Sequence, residues 1–536
     1  MILKILLVLS IFLVVFYKTK NSLHMLQLNL YNENNRYLKW VVKNKLQFID
    51  IDLFLIIISV IGFLILYDLS TYTNVSFIIL IILNLMLAFK WKNKINNSQN
   101  KKPLVVTKRV KRLIFTLWLL YLVPFIILFT DYDSLKAIWL LVLILNVMVY
   151  LNVFVVYLAN IINFPIERLV YFYYKSLAQK KLKSMSNLKI IGITGSYGKT
   201  SSKNILGDIL NVRYNALPTP RSLNTYNGLI MTVNNYMDKF TEIFIAEMGA
   251  YVKGEIRGLC KLVKPKYGIL TTIGTAHLET FGSEENIVEA KFELIESLPS
   301  DGFAILNGDD PKQVNYKLKN KVKTIWTGID NKDADVRALN IKCTSKGTEF
   351  DVMFKGDKNK YHFETKLLGR HNVYNILAGI ACGKEFGIGI DDLIMAVKLV
   401  KPVEHRLELK KIGNFYQIDD AYNSNPVGAK NACEVLGMMD GTKIMVTPGM
   451  VELGDKENEY NYKFGEQIAE VADYVVLIGE KKTKPIYDGL INKKYPKDKI
   501  IVYNDVRKAY SFISGINEGK EVYALFENDL PDTYNE

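Results

Sequence analysis

Cysteine is scarce in this 536-residue sequence: Cys260, Cys343, Cys382 and Cys433 are the four, and no two form a CxxC pair. Neither a zinc site nor a disulfide framework is indicated, and a reducing, cytosolic setting suits the region that holds them. The last third has no GxGxxG, so a dinucleotide is not indicated there. Aromatic and basic residues are not interleaved as single-strand binders require, so the net charge of +14 does not point to nucleic acid. No small-residue cleavage site follows the first apolar run; Tyr17-Lys18-Thr19-Lys20 does, which argues against a cleaved signal peptide. No charge cluster lies inside the apolar runs, so a transporter ATPase is not suggested.

What the chain does have is an uneven spread of apolar residues. Five runs fall in the first third: Ile2–Tyr17, Ile51–Tyr67, Val75–Phe89, Leu113–Thr130 and Ala137–Ile162. Most approach the ~20 residues that span hydrocarbon; the third is short and holds Asn84, so it also reads as a re-entrant segment. The loop after the first run carries Lys18, Lys20, Arg36, Lys39, Lys43 and Lys45, and the loop after the third is lysine- and arginine-rich from Lys90 to Arg112. The two remaining loops, Asp68–Asn74 and Asp131–Lys136, hold one lysine between them. Positive loops stay in the cytoplasm. The expectation is a multi-pass protein of the cytoplasmic membrane with its amino terminus outside and everything after the fifth run in the cytoplasm. Residues 166–187 read as a basic amphipathic connector, either on the inner leaflet or simply solvated.

A different texture begins at Leu188. The run Leu188–Ile193 reads as a buried strand, Gly195-Ser196-Tyr197-Gly198 as a tight loop, and Lys199-Thr200-Ser201 as the opening of a helix. Glycines let backbone N–H groups turn toward an anion, and a helix amino terminus adds its positive dipole end. Lys199 can reach the phosphates of a nucleotide and the Thr200 hydroxyl can sit on Mg²⁺. Only two residues separate the glycines, against four in the common phosphate loop. Further strands are expected at Glu242–Glu247, Tyr267–Thr272 and Phe303–Leu306, alternating with helices as in a mostly parallel, doubly wound sheet. Ligands gather at the carboxyl ends of such strands, where Glu247 and His277 fall. A carboxylate there suits a hard cation; a lone histidine is more often structural, and Lys291 alone would be a solvated helix lysine. Asp335 to Leu368 reads as a small antiparallel insertion. A further α/β domain starts near Pro402, with strands at Tyr416–Asp419, Lys443–Val446, Tyr474–Ile478, Ile500–Tyr503 and Val522–Phe526.

Several motifs recur in one order: Gly192-Ile193-Thr194-Gly195-Ser196-Tyr197-Gly198-Lys199-Thr200, Ala246-Glu247-Met248-Gly249, and Thr272-Ile273-Gly274-Thr275-Ala276-His277-Leu278-Glu279. Asn307-Gly308-Asp309-Asp310-Pro311, Gly369-Arg370-His371-Asn372-Val373-Tyr374-Asn375 and Asp419-Asp420-Ala421-Tyr422-Asn423-Ser424-Asn425-Pro426 follow. On these, residues 188–536 resemble the Mur ligases, the ATP-dependent amino-acid ligases of cell-wall synthesis. They are most similar to the MurF branch, which adds D-alanyl-D-alanine to UDP-N-acetylmuramoyl-tripeptide. The short phosphate loop is that family's pattern.

The apolar runs give an α-helical transmembrane segment of about five helices (1–165) and the connector (166–187); the resemblance implies a P-loop ATPase-type central Mur ligase domain (188–401) and a Rossmann-like carboxyl-terminal domain (402–536). It implies ATP and Mg²⁺. Gly195, Ser196, Tyr197, Gly198, Lys199, Thr200 and Ser201 would hold the phosphates. Thr200 and Glu247 would hold one metal ion and His277 a second. Lys291 matches a lysine that is carbamylated in several members. Asn372 would face adenine, Arg406 phosphate and Asp420 the ribose; Lys199, His277, Lys291 and Arg406 form the implied catalytic set. The implied reaction turns a carboxylate into an acyl phosphate and joins it to an amine. The third domain must close on the central one to keep water from that intermediate.

Three departures bear on substrate. Apolar runs occupy the place of the soluble UDP-sugar domain, so the acceptor, a peptidoglycan or related envelope precursor, is nucleotide- or lipid-linked. Thr447-Pro448-Gly449-Met450-Val451-Glu452-Leu453-Gly454 replaces a related Gly-Asp-Met stretch, with Asn461 where a histidine is usual. Glu527-Asn528-Asp529-Leu530-Pro531-Asp532 stands where the branch has Lys-Gly-Ser near the amino-acid site. A ligase for another envelope polymer, such as a poly-amino acid, and a non-catalytic nucleotide-binding membrane scaffold are the alternatives. The MurF-like Asp-Asp-Ala-Tyr-Asn-Ser-Asn-Pro stretch opposes the first. Intact Lys199, Thr200, Glu247 and His277 oppose the second.

Overall fold

A computed structural model describes residues 2–44, 52–66, 70–97, 103–127, 135–421, 424–451, 453–516 and 519–528. Tyr422, Asn423, Glu452 and the stretch from Asp529 to Asp532, singled out above, lie outside the described residues. The chain divides into two compact units, Met1–Tyr173 and Tyr174–Glu536.

The first unit is helical: α1 (Ile2–Leu28), α2 (Arg36–Lys43), α3 (Asp52–Ile61), α4 (Ser70–Asn97), α5 (Lys108–Ile127), α6 (Leu135–Tyr150) and the start of α7 (Asn152–Ser184). Among the described residues, four helices are long and apolar enough to cross a membrane: Ile2–Leu28, Thr73–Asn96, Lys108–Ile127 and Asn152–Ser184. The third apolar run, short as read from sequence, is part of one of these long helices. The fifth is interrupted at Leu151, yet helical hydrogen bonding carries across it: Leu151 N–H reaches Val147 O at 2.9 Å and Val155 N–H reaches Leu151 O at 3.0 Å. The interior of the unit is mostly apolar, with Leu7, Ile11, Phe77 and Trp139 in one cluster and Leu23, Tyr37 and Leu113 in another, but buried polar pairs run through it. Asn152 Nδ2 donates to Thr19 Oγ1 (2.9 Å) and Tyr121 OH (3.0 Å), and its Oδ1 accepts from Ser22 Oγ (2.7 Å). Asn146 Nδ2 donates to Ser59 Oγ at 2.7 Å and Asn84 Nδ2 to Ser10 Oγ at 3.2 Å. Leu9, Phe16, Phe54, Phe89, Phe115, Trp118 and Ile126 are exposed instead. Interhelical amide and hydroxyl pairs satisfy groups that hydrocarbon could not. The connector is the second half of α7 rather than a separate element.

The second unit holds two sheets. The first contains β1 (Lys189–Thr194), β2 (Ala216–Pro218), β3 (Ile243–Glu247), β4 (Tyr267–Leu270), β5 (Phe303–Asn307), β6 (Lys323–Gly328), β7 (Val336–Thr344), β8 (Gly347–Phe354) and β9 (Tyr361–Thr365). Their order is β2-β3-β1-β4-β5-β6-β7-β8-β9. Pairing is parallel from β2 to β7 and antiparallel over β7-β8-β9, so the antiparallel insertion extends the main sheet. Around it lie α8 (Lys199–Leu210), α9 (Tyr226–Asn235), α10 (Glu255–Val263), α11 (Leu278–Phe281), α12 (Glu284–Glu296), α13 (Pro311–Val314), α14 (Arg370–Glu385) and α15 (Ile390–Leu399). Helices on both faces explain why β1, β3 and β5 read as continuous apolar runs. Ile191, Ile193, Ile245 and Ile305 pack with Ile205, Ile209, Ile376 and Ile380 in one core.

The second sheet contains β10 (Glu408–Ile412), β11 (Phe415–Asp420), β12 (Thr442–Thr447), β13 (Tyr474–Ile478), β14 (Ile500–Tyr503) and β15 (Val522–Glu527), in the order β10-β11-β15-β12-β13-β14. All pairs are parallel except β10 with β11. The helices are α16 (Pro426–Gly437), α17 (Glu457–Ala469), α18 (Glu480–Asn492) and α19 (Val506–Ser514). Asn425 caps α16 through Gly428 N–H at 2.8 Å, with Pro426 at the first helical position. Parallel β11, β15 and β12 end on one edge, so the loops after them share a crevice.

Candidate active site

The loop after β1 is shaped by its glycines. Gly195 has φ +153° and a Cβ there would lie 1.9 Å from Thr271 Oγ1; Gly198 has φ +79°. Ser196 N–H donates to Thr272 O at 2.9 Å, and Thr271 Oγ1 donates to Tyr197 O at 2.6 Å, fixing the loop against the end of β4. Helix α8 starts at Gly198 with no side-chain cap, and Ser201 is in its first turn. Its first N–H groups are thus left for an external anion. Lys199 folds back over the loop, donating to Gly195 O at 2.7 Å and Ser196 O at 3.0 Å. The side chain is half-buried, but its ammonium is enclosed by protein. Burial lowers its pKa to about 8, Arg406 pushes the same way, and Glu247 opposes both.

Glu247, at the end of β3, is the hub of the polar network and is 1% exposed. Its Oε1 accepts from Thr200 Oγ1 at 3.2 Å and Asn224 Nδ2 at 2.9 Å. Lys203 Nζ stands 3.0 Å from Oε2, an ion pair by distance but out of hydrogen-bond alignment, so Oε2 carries no formal hydrogen bond. Lys203 is 0% exposed and donates to Arg221 O at 2.5 Å. Sequence reading missed Lys203, although its place one turn after Lys199 on α8 was a usable signal. It missed Asn224 as well, for which nothing local points to the site, whereas Thr271 was legible as a polar residue just past the end of β4.

His277 has φ +59° and stands just before α11 without a side-chain capping bond; its ring lies 4.5 Å from that of Tyr251. Lys291 sits on α12, which starts at a Ser283 cap with Glu284 and Glu285 in its first turn. It is 2% exposed, not solvated. Burial, then the charge of Lys199, brings its pKa down to about 7, against Glu255 and Glu293. Asn372 faces inward on α14: its Nδ2 donates to Leu368 O at 2.9 Å, and its Oδ1 accepts from Asn375 at 3.2 Å. Asn375 in turn accepts from Ser202 of α8 at 2.8 Å. From the third domain, the charge of Arg406 is felt by Lys199, Asp420 and Glu527, so it links the phosphate loop to the edge of the second sheet. Asn461 staples the loop after β12, accepting from Met450 N–H at 2.8 Å and donating to Met450 O at 2.9 Å.

Residues 193–383 match the family model described as the Mur ligase middle domain, and residues 405–524 the one described as Mur ligase, glutamate ligase domain. The UDP-N-acetylmuramoyl-tripeptide–D-alanyl-D-alanine ligase of Bacillus subtilis (strain 168) is 35% identical over 336 residues, 62% of this chain and 71% of the relative. The chain belongs to the Mur ligase family. By that membership it is an ATP-dependent, ADP-forming ligase. The Escherichia coli (strain K12) ligase of the same name is 31% identical, over 55% of this chain and 65% of its own length. Among solved structures, the MurF ligase of Thermotoga maritima in complex with ADP superposes with a TM-score of 0.59 at 27% identity, over 67% of this chain and 80% of that one. MurF from Acinetobacter baumannii gives 0.60 at 26% identity, over 66% and 77%. The two α/β domains are therefore Mur ligase domains of MurF type.

Proposed function

We propose that the chain is a membrane-anchored ligase of MurF type. It activates a carboxylate of a peptidoglycan precursor with ATP and joins it to the amine of an amino acid or dipeptide. The observation that carries this reading is the cradle: an uncapped helix start, a glycine loop too tight for a side chain, and an enclosed Lys199 beside a buried carboxylate. The named relatives are UDP-N-acetylmuramoyl-tripeptide–D-alanyl-D-alanine ligases, which supports this substrate class.

The donor set fits Mg²⁺. Glu247 Oε2 lacks a hydrogen bond and the Thr200 hydroxyl lies beside Oε1, both hard oxygens. Among the described residues no three of His, Cys, Asp and Glu cluster as a ready-made cage, so ligands from outside the protein, such as phosphate oxygens, would be needed to complete a shell. Thr200, Glu247 and His277 would hold metal, which when bound neutralises charge on the phosphates. Lys199, Arg406 and the N–H groups at Gly195 to Ser201 would hold the phosphates, Asn372 would lie at the adenine and Asp420 at the ribose. A neutral amine reacts with CO₂, and Lys291, titrating near neutrality in a buried site, offers one; we assign it as a carbamylation site.

In the reaction, a carboxylate oxygen of the acceptor attacks the γ-phosphorus and ADP departs. The amine then attacks the acyl carbon, loses its proton, and phosphate leaves with the original carboxylate oxygen. Protein groups act by positioning and by charge.

The long apolar helices, with large apolar side chains such as Phe16, Phe89 and Trp118 exposed, support anchoring, with the catalytic domains cytoplasmic under the charge rule. With long apolar helices preceding the central domain, the acceptor is lipid-linked and met at the membrane face. The test is ADP release by the detergent-purified full chain, given a D-alanyl dipeptide with either UDP-linked or lipid-linked muropeptide. Release that needs both amine and acceptor, and prefers the lipid form, is expected. Stimulation by the UDP form alone sinks the lipid-linked version, and no acceptor-dependent release with either sinks the ligase assignment. A carboxyl-terminal reporter found outside the cell would refute the topology.

A further inference from the structure

Two carboxyl groups stand side by side at the edge of the second sheet. The register of parallel neighbours β11 and β15 puts Asp420 opposite Glu527, so both side chains leave the sheet on one face. Glu527 is 1% exposed, whereas Asp420 keeps a solvent-facing part even though its carboxyl is crowded by protein. Ser424 Oγ donates to Glu527 Oε1 at 2.5 Å. The next residue, Asn528, accepts from Ser424 N–H at 3.2 Å and donates to Gly449 O at 2.6 Å, which locks the end of β15 in place.

The other oxygen, Glu527 Oε2, meets no donor among the described residues. As a carboxylate it would be a buried charge facing a second carboxylate, which is costly. As a carboxylic acid it becomes a donor, and Asp420 is the acceptor within reach. Burial first, then the charge of Asp420, holds the proton on Glu527 well above the usual carboxylate range. Burial pushes Asp420 up too, opposed by the hydrogen bond from Glu527 and by Arg406. The pair therefore keeps one proton, on its more buried member. The charged and titratable groups facing it are Asp419 on β11, Arg406 before β10, and the Cys433 thiol on α16. Arg406 also acts on Lys199, so the pair lies within electrostatic reach of the phosphate loop.

We propose that Glu527 is a positioning residue for nucleotide binding: its carboxylic acid donates a hydrogen bond to Asp420 and holds that side chain, ionised, toward the ligand. This rests on the assignment of Asp420 to the ribose made above. The role belongs to the neutral acid, so an amide can replace it and an alkyl group cannot.

The experiment is equilibrium binding of MgADP to the full chain in detergent, from about pH 6 to about pH 9, for the wild type, Glu527→Gln and Glu527→Leu. Glutamine keeps a donor at every pH and cannot ionise. Lys199 titrates in all three proteins, so the quantity read is the ratio of affinities at each pH. The wild type should match Glu527→Gln in acid and fall behind it by up to about tenfold as the pair loses its proton. Glu527→Leu should bind about tenfold more weakly than Glu527→Gln throughout. A wild-type to Gln ratio that stays constant while Leu binds as tightly as Gln overturns the proposal. Should Leu unfold, the pH dependence of the wild-type to Gln ratio decides alone. Absence of MgADP binding by the wild type is a different failure: it removes the nucleotide reading, and this inference with it.

Discussion

Replacing Lys203 by methionine keeps its bulk and removes its charge from a site where neither partner is solvated. Lys203 is 0% exposed, Glu247 is 1% exposed, and their charged atoms are 3.0 Å apart. At an effective dielectric of about 20, two unit charges at that distance attract by about 5–6 kcal/mol. Breaking a buried pair from one side typically costs about 3–5 kcal/mol, because the surviving charge stays buried. For a domain of this size, that is a fall of about 6–20 °C in the midpoint of its transition. Glu247→Gln leaves Lys203 its bond to Arg221 O, and the double variant Lys203→Met with Glu247→Gln removes the stranded charge. It should melt above Lys203→Met alone, with a coupling of about 1–3 kcal/mol. The assay is thermal unfolding of the full chain in detergent, followed by near-ultraviolet dichroism. A midpoint within about 2 °C of wild type for Lys203→Met, or a double variant that falls by the sum of the singles, would refute the reasoning.

Other outcomes follow from the same site. Lys199 carries its charge fully only below its pKa of about 8, so MgATP affinity should fall as pH rises through that value; Lys199→Arg, charged throughout, should flatten the slope in calorimetric titrations. Lys291 has a pKa of about 7, and only the free amine takes up CO₂. Carbamate at Lys291, read by carbon-13 NMR with labelled bicarbonate, should decline below neutrality and vanish in Lys291→Arg; a pH-independent signal, or one kept in the variant, would contradict this. Gly195→Ala places a Cβ 1.9 Å from Thr271 Oγ1 at φ +153°, so nucleotide binding should weaken by about tenfold or more with a modest loss of stability; affinity unchanged in the titration would contradict the cradle.

Much of this was legible because it is written locally. Strands β1, β3, β4 and β5 are short apolar runs, and Lys199, Thr200 and Glu247 sit where a strand–loop–helix unit needs them. The missed strands have weak local signals. β2 is three residues long, β10 is a charged edge holding Glu408, Lys410 and Lys411, and β6 mixes polar and apolar positions. The interruption at Leu151 is equally silent, because Asn152 beside it is answered by Ser22, Thr19 and Tyr121 from other helices. Lys291 reads as a surface lysine until folding buries it, with its ammonium 5.3 Å from the ring of Phe281 on α11. The pairing of Asp420 with Glu527 exists only because the last strand inserts between β11 and β12. Tertiary proximity, not composition, makes these residues functional candidates.

The account stands on a nucleotide seated against the loop that ends in Lys199. Equilibrium binding of MgATP to the purified full chain and to Lys199→Ala measures this directly. The wild type should bind, and loss of the enclosed ammonium should weaken binding by about tenfold or more. Equal affinity in the two proteins, or no binding by the wild type, would contradict it.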